Sequence, residues 1–225
     1  MELYKLGSRG SVVAKIQAIL KVYPDGIYGK LTKEAVEAYQ REQGLTVDGI
    51  VGPATLAKLF AQSGTLQKSK RRIDEIIVHC TATPEGQDCT IAQIRASHKA
   101  RGFSDIGYHY VIFRDGTVHD GRDINVSGAH CSGHNAHSIG VSYVGGLENK
   151  PGVKYEKLKA KDTRTDEQKA ALKALLKNLR VLYPKAKIIG HRDTSPDLNG
   201  DGLIEPNEWI KACPSFDVKK EYGNI

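Results

Sequence analysis

The chain has 225 residues, of which 40% are hydrophobic, and a formal net charge of +7. This length allows one large domain or two small ones, and no run approaches the roughly 18 apolar residues of a membrane span. The first ten residues lack the apolar stretch of a secretory signal, so we expect neither a membrane partner nor ordinary export.

The surplus positive charge is concentrated in one short segment. Residues 63–72 carry four basic residues and no acidic ones. A nucleic-acid-binding protein would instead spread its basic residues over a folded face, so we expect no nucleic-acid partner. The segment is polar and has no periodic pattern. We predict that residues 63–71 form a solvated linker between a domain at 1–62 and a second domain at 72–225.

An internal repeat organises the first domain. The pattern D-G-I-x-G-x-x-T spans residues 25–32 and recurs at 48–55, which is 23 residues later. Each copy combines a glycine turn with a helix start, and Thr32 is the predicted N-cap of the helix that follows.

Three short helices are expected in this domain. The first begins near Ser11, the second spans 32–43, and the third opens with a proline and spans 53–61. The predicted core consists of Val36, Tyr39, Leu45, Val47, Leu56, Leu59 and Phe60.

The longer pattern is D-G-x-x-G-x-x-T…A-V-x-x-Y-Q-x-x-x-G-L-x-V-D-G-x-x-G-x-x-T, and it covers nearly all of the first domain. It resembles the three-helix peptidoglycan-binding domain. The resemblance implies that this domain holds the chain on its polymeric substrate, which raises local concentration without changing the chemistry. Turn and capping chemistry explains each Asp and Gly, so the pattern does not locate a binding groove.

Strand and helix patterns alternate in the second domain. Ile73–His79 is a β-branched run typical of a buried strand, and Gly107–His119 contains the Asp-Gly turn of a hairpin. Ser138–Val144 is typical of a central strand. T-D-E-Q at 165–168 is a capping box that opens a helix to about residue 182. We therefore predict an α/β domain with a central mixed sheet flanked by helices, preceded by the small three-helix domain.

Metal-ligand residue types follow two of the predicted strands. His191 lies just past the strand that ends at Gly190, and Cys213 follows on a proline-bounded loop. One His and one Cys make half of a transition-metal site, since catalytic zinc takes three protein ligands and keeps one position open. His79, at the end of an upstream strand, is the predicted third ligand, and zinc is the expected cofactor.

The cysteine count favours synthesis in a reducing compartment. With one cysteine assigned to the metal, three remain, and these cannot all pair within the chain. The three are Cys80, Cys89 and Cys131.

Five motifs carry a resemblance along residues 72–220. They are V-H-C-T-A-T, G-Y-H-Y-V-I-F-R-D-G-T, G-A-H-x(4)-N-x-x-S-I-G-V, G-H-R-D and K-A-C-P-S-F-D, in that order. Together they resemble the zinc-dependent N-acetylmuramoyl-L-alanine amidases, a superfamily that includes phage amidase lysozymes and peptidoglycan recognition proteins. The resemblance implies hydrolysis of the amide bond between N-acetylmuramic acid and L-alanine of the stem peptide.

The resemblance also assigns roles to four polar residues. Tyr108 would lie at the zinc and orient the attacking water or the substrate carbonyl, although tyrosine is also an ordinary core residue in strands. Lys211, two residues before Cys213, would hold the tetrahedral oxyanion; the alternative is a solvated surface lysine. His130 and Asn135 are placed on the substrate groove.

An EF-hand-like loop lies between His191 and Cys213. The D-x-N-x-D-G-x(5)-E pattern matches the spacing of a calcium loop, and an acidic turn with capped backbone amides is the alternative. If calcium binds, we expect it to brace the segment that delivers Lys211. The predicted ligands are Asp197, Asn199, Asp201, Leu203 and Glu208.

These inferences favour a peptidoglycan hydrolase. A phage or prophage endolysin, made in the cytoplasm and released through a separate membrane lesion or by non-classical export, explains both the wall-binding domain and the missing signal. We expect it to act as a monomer. Two alternatives stay open: a wall sensor that binds without cutting, and a cytosolic amidase that recycles soluble muropeptides.

Overall fold

The first domain consists of three helices, α1 (Ser11–Ile19), α2 (Lys30–Glu42) and α3 (Pro53–Ala61). The computed structural model describes residues 3–61, 66 and 68–225. The helices enclose an apolar core that also takes in residues from the connecting loops. The core residues are Tyr4, Val13, Ile16, Tyr28, Val36, Tyr39, Val51, Leu56 and Leu59.

A buried glutamine explains the repeat. The Gln17 amide donates to Asp25 Oδ1 (2.8 Å) and Thr32 Oγ1 (2.9 Å), and its oxygen accepts from the backbone of the glycine turn. Gln40 makes the same contacts in the second copy, with Asp48, Thr55 and Gly49. The repeated Asp, Gly and Thr therefore tie each turn to the preceding helix.

Two predictions for this domain are wrong. Helix α2 begins at Lys30, with Gly29 as its N-cap. Thr32 lies inside the helix, where its buried hydroxyl accepts a hydrogen bond from Gln17. Val47 is 45% exposed, and both Val47 and the half-buried Leu45 lie outside the core. The side chain of Phe60, which was also predicted for the core, lies outside the described side chains.

The end of the predicted linker packs against the second domain. Ser69 is buried, its amide donates to Tyr183 Oη at 2.6 Å, and its hydroxyl donates to the Ile124 carbonyl at 2.8 Å. The Arg71 guanidinium is held by several carbonyls of the second domain, including that of Ser138 at 3.1 Å. Ser69 and Arg71 therefore pack against the second domain and do not form a solvated linker. Residues 62–65 and 67 lie outside the described part.

A five-stranded mixed sheet forms the centre of the second domain, as predicted. Its strands are β1 (Glu75–Cys80), β3 (Tyr110–Ile112), β4 (Val118–Asp120), β5 (Ser138–Tyr143) and β7 (Lys187–Gly190), and a separate pair is β2 (Thr83–Pro84) with β6 (Gly146–Leu147). The spatial order is β4-β3-β5-β1-β7. β1 is parallel to both β5 and β7, and only the β3–β4 hairpin is antiparallel in this sheet.

Three helices accompany the sheet: α4 (Ile91–Ala100), α5 (Asp166–Leu182) and α6 (Val218–Tyr222). The predicted capping box opens α5, with Thr165 Oγ1 accepting from Gln168 N. α5 covers the sheet with its leucines, and α3 of the first domain packs along it. Lys15 Nζ also bonds Asp115 Oδ2 across the domains at 2.8 Å. Within the described residues, no helix has the length and apolarity to cross a bilayer.

Candidate active site

Two neighbouring parallel strands bring the predicted histidine ligands together. β1 and β7 are paired, with Val78 opposite Gly190. The next residues along the two strands are His79 and His191, and their ring centroids lie 4.7 Å apart. The register of the sheet therefore places both imidazoles at the same edge.

Cys213 joins this pair from the loop before α6. The Arg192 amide donates to Cys213 O at 2.8 Å, and the Cys80 amide donates to Cys213 Sγ at 3.3 Å. The thiol sulfur lies 3.8 Å from His79 Nδ1. One ligand atom from each of the three residues lies within 4.8 Å of the others, and this is the one such group found among the described residues. The structure thus assembles the predicted His-His-Cys set.

The chemistry of these donors fits a zinc ion. Burial, followed by the neighbouring His130 and His191, lowers the pKa of His79. Burial, followed by Lys211, lowers the pKa of His191 to about 4. Both imidazoles are therefore neutral and can offer a lone pair. Burial raises the pKa of the Cys213 thiol, and a cation at this point would favour the thiolate. Two imidazoles and a thiolate match a catalytic zinc site that keeps one position open.

A further histidine holds the ring of His79. His130 is buried, its Nδ1 lies 3.0 Å from His79 Nε2, and its Nε2 lies 3.3 Å from Ser138 Oγ. A hydrogen bond on the outer nitrogen of a metal-binding histidine fixes its tautomer and orientation. A Cβ at Gly140 would lie 2.5 Å from His130 Cδ2, so glycine at that position leaves room for the ring.

The structure shows contacts within the protein for both His130 and Asn135, and their predicted place on the substrate groove stays a prediction. Both ring nitrogens of His130 are engaged by protein groups, so this residue positions His79 even though it lines the floor of the cleft. Asn135 Oδ1 accepts from the amides of His130 (2.9 Å) and Cys131 (3.0 Å). Its side chain therefore closes the loop that carries His130.

A cleft of about 390 Å³ opens above the three ligands. Tyr108 lies on its floor, with its ring centroid 5.3 Å from that of His79 and its hydroxyl 3.5 Å from Cys80 O. Burial raises the pKa of Tyr108, so its phenol stays protonated and acts as a hydrogen-bond donor. Lys211 is exposed and also lines the cleft. The structure therefore places both predicted catalytic side chains beside the ligand group.

Sequence reasoning missed the walls of the cleft. A face of α4 lines the cleft, and so does Tyr155 from the segment between β6 and α5. The α4 residues recur every fourth position, a spacing that places them on one helix face and could have identified this wall. They are Gln93 and Ser97, and the same spacing continues to Arg101 at the C-cap of the helix.

The EF-hand-like loop uses its carboxylates on its own backbone. Asp197 accepts hydrogen bonds from two backbone amides, and the buried Glu208 accepts from three. This matches the alternative of an acidic turn with capped amides. Trp209 directly follows the loop, and its ring lies 4.3 Å from the Arg192 guanidinium. The turn is therefore linked to the residue that follows His191.

Comparison with known proteins identifies both domains. The N-acetylmuramoyl-L-alanine amidase family matches residues 69–202, and a peptidoglycan binding domain family matches residues 9–59. The endolysin of Enterobacteria phage K11 is 39% identical over 158 residues, covering 69% of this chain and 89% of its own. The endolysin of Escherichia phage T7 is 38% identical over 153 residues, covering 68% of this chain and 87% of its own. Among solved structures, the amidase LysC from Clostridium intestinale URNW has 25% identity and a TM-score of 0.49, covering 67% of this chain and 82% of that one. The chain belongs to the N-acetylmuramoyl-L-alanine amidase family and carries a peptidoglycan-binding domain before its catalytic domain.

Proposed function

We propose that this protein hydrolyses the amide bond between N-acetylmuramic acid and L-alanine of peptidoglycan, with zinc held by His79, His191 and Cys213. The supporting observation is the convergence of three ligand atoms within 4.8 Å of one another, in the cleft of an amidase-family domain. A zinc ion bound there supplies Lewis-acid polarisation of the scissile carbonyl and makes a water molecule more acidic.

The protein's own side chains orient the reactants. The Tyr108 hydroxyl donates a long hydrogen bond to Cys80 O (3.5 Å), and in the reaction this proton turns to the attacking water or to the substrate carbonyl. The Lys211 ammonium stabilises the negative charge that develops on the carbonyl oxygen as the amide carbon becomes tetrahedral. His130 holds the His79 ring in one orientation. The reaction therefore needs no covalent protein intermediate.

We further propose that the protein is a phage or prophage endolysin. Its support is the identity to phage endolysins over most of their length and the peptidoglycan-binding domain. The protein would be made in the cytoplasm, reach the wall on release and act as a monomer. Binding through the first domain would keep the catalytic domain near its polymeric substrate.

Digestion of purified peptidoglycan, analysed by mass spectrometry, tests the proposal. We compare wild type, Cys213→Ala and the matched control Cys131→Ser, whose thiol lies outside the ligand group. The expected products are free stem peptides that begin with L-alanine beside intact glycan strands, and Cys213→Ala should release none.

Sedimentation with the wall but no product, even with zinc restored, would support the wall sensor. Faster cleavage of soluble muropeptides than of intact wall would support the recycling enzyme. Glycan fragments would show that a different bond is cut.

Calcium binding by residues 197–208 is a separate proposal, supported by the oxygen spacing of the loop. Trp209 is the single tryptophan of the chain, and its Nε1 lies 3.4 Å from Ile204 O inside the loop. Calcium titration of zinc-loaded protein should change tryptophan fluorescence and raise the melting temperature, and Asp197→Ala should abolish both changes. No change at millimolar calcium would contradict the proposal.

A further inference from the structure

The lining of the cleft varies in chemistry. The α4 lining includes the polar Gln93 and Ser97 and the apolar Ile94. Arg101, just past the helix, adds a cation, and Lys211 adds a second one to the cleft. Residues 81–84 and Tyr155 also line the cleft. Tyr155 is 55% exposed, although it is large and aromatic. The mechanism proposed above does not use it.

Tyr155 is held in place through its hydroxyl. Its Oη donates to Ala82 O at 2.9 Å, on the segment that follows His79. Two further contacts tie the segment between β6 and α5 to Glu85, next to residues 81–84: Asn149 Nδ2 donates to Glu85 O at 3.0 Å, and Lys161 Nζ pairs with Glu85 Oε2 at 2.6 Å. A ring that is bonded at its edge and exposed on its body presents a fixed aromatic surface to the cleft.

A fixed aromatic surface suits one part of the substrate better than the other. The face of an aromatic ring is electron-rich, and the C–H groups on one face of a pyranose ring are weakly positive and apolar. The stem peptide carries carboxylates, which match the cation of Arg101 in the cleft. The scissile amide joins the sugar side to the peptide side. Tyr155 and Arg101 therefore match the two halves of the substrate.

We propose that Tyr155 is a sugar-binding platform that packs against a pyranose ring of the glycan strand next to the scissile amide. This inference rests on the proposed amidase function, because that reaction places a sugar on one side of the bond and an acidic peptide on the other. Tyr155 raises affinity for glycan-bearing substrates and takes no part in bond cleavage.

The first test uses two soluble substrates that share the scissile amide. One is an N-acetylglucosaminyl-N-acetylmuramoyl tripeptide, and the other is the matching lactoyl tripeptide without sugar. Tyr155→Ala should lower kcat/KM for the sugar substrate about three- to tenfold, chiefly through KM, and leave the sugar-free substrate unchanged. Tyr155→Phe keeps the ring but loses the bond to Ala82, so its loss should be smaller. Tyr23→Ala, at an 83% exposed tyrosine of the first domain, is the control. Equal losses on both substrates, or no loss on either, would overturn the proposal.

A second test separates this inference from the amidase proposal. Calorimetry measures the binding of peptide-free glycan strands to full-length wild type and Tyr155→Ala. The first domain is the same in both proteins, so a difference in affinity reports on Tyr155. Weaker binding by Tyr155→Ala supports the platform, and equal binding overturns it. This comparison holds even if wild type cleaves neither soluble substrate, a result that would contradict the amidase proposal alone.

Discussion

The two domains use buried polar side chains in opposite ways. In the first domain, Gln17 and Gln40 each bond an Asp, a Thr and the backbone of the adjoining glycine turn. In the second domain, His79, His191 and Cys213 bring their ligand atoms within 4.8 Å of one another. Matched donors and acceptors hold a fold together. Ionisable groups that crowd one another and shift each other's pKa values indicate a site for a ligand.

This comparison shows that a strict motif need not be a functional one. D-G-I-x-G-x-x-T is as regular as the amidase motifs, yet its Asp and Thr satisfy a buried glutamine. The partners that a side chain finds in the fold decide its role. Each prediction below changes one side of this comparison and should leave the other intact.

The largest effect should come from Lys211. Lys211→Ala should lower kcat on soluble muropeptide about 10²- to 10³-fold, because it removes the positive charge that stabilises the oxyanion. Zinc content and melting temperature should not change, since the side chain is exposed. Lys220→Ala, at an exposed lysine of α6, is the control. An unchanged kcat would mean that another group stabilises the oxyanion.

Acid should destabilise the second domain selectively. All eight histidines lie in this domain, and burial lowers the pKa of His98 and of His109 to about 4. An unfolded histidine has a pKa near 6.5, so the unfolded state binds more protons between pH 6.5 and 4. Stability is therefore complete above that window and falls as the pH drops through it, by up to about 3 kcal/mol for each histidine.

Thermal unfolding at pH 7.5 and pH 4.5 measures this effect. Trp209 fluorescence reports on the second domain, and calorimetry reports on both domains. The tryptophan transition should move to lower temperature at the acidic pH. An unmoved transition would mean that these histidines are protonated without cost in the folded state.

His130 should affect metal affinity. His130→Ala should weaken zinc binding about 10- to 100-fold, because it removes the partner of His79 Nε2. Competition with a chromophoric chelator measures the affinity, and His137→Ala, exposed on the same loop, is the control. Equal affinity in the two variants would show that the contact does not orient the ligand.

The smallest effect should come from the first domain. Gln40→Ala should lower its unfolding free energy by about 1–3 kcal/mol, because the Gly49 amide loses its buried acceptor. Turnover of soluble muropeptide should stay at the wild-type value. Denaturant unfolding measures the change, with Glu42→Ala at an exposed position of α2 as the control. A loss of turnover in Gln40→Ala alone would show that the two domains are coupled.

Most of the fold was predictable because its signals are local. The capping box at Thr165 and the strands that end near His79 and Gly190 are visible in short windows of sequence. The histidine ligands followed, since neighbouring parallel strands end at the same edge of a sheet. Gln17 and Gln40 were also within reach, because they are separated by the same 23 residues as the repeat.

The remaining features depend on contacts between distant segments. His130 bonds a residue 51 positions away, and no local pattern distinguishes a ring that supports a ligand from one that faces substrate. Tyr155 lies in a lysine-rich segment without periodicity, and its contact with Ala82 spans 73 positions. Arg71 follows a polar run, yet carbonyls from another part of the chain bind its guanidinium.

Zinc analysis of purified protein tests the central claim most directly. Wild type and Cys131→Ser should each hold one zinc ion per chain after dialysis against metal-free buffer, and Cys213→Ser should hold much less while remaining folded. Equal zinc content in Cys213→Ser and wild type would contradict the assignment of the metal to His79, His191 and Cys213.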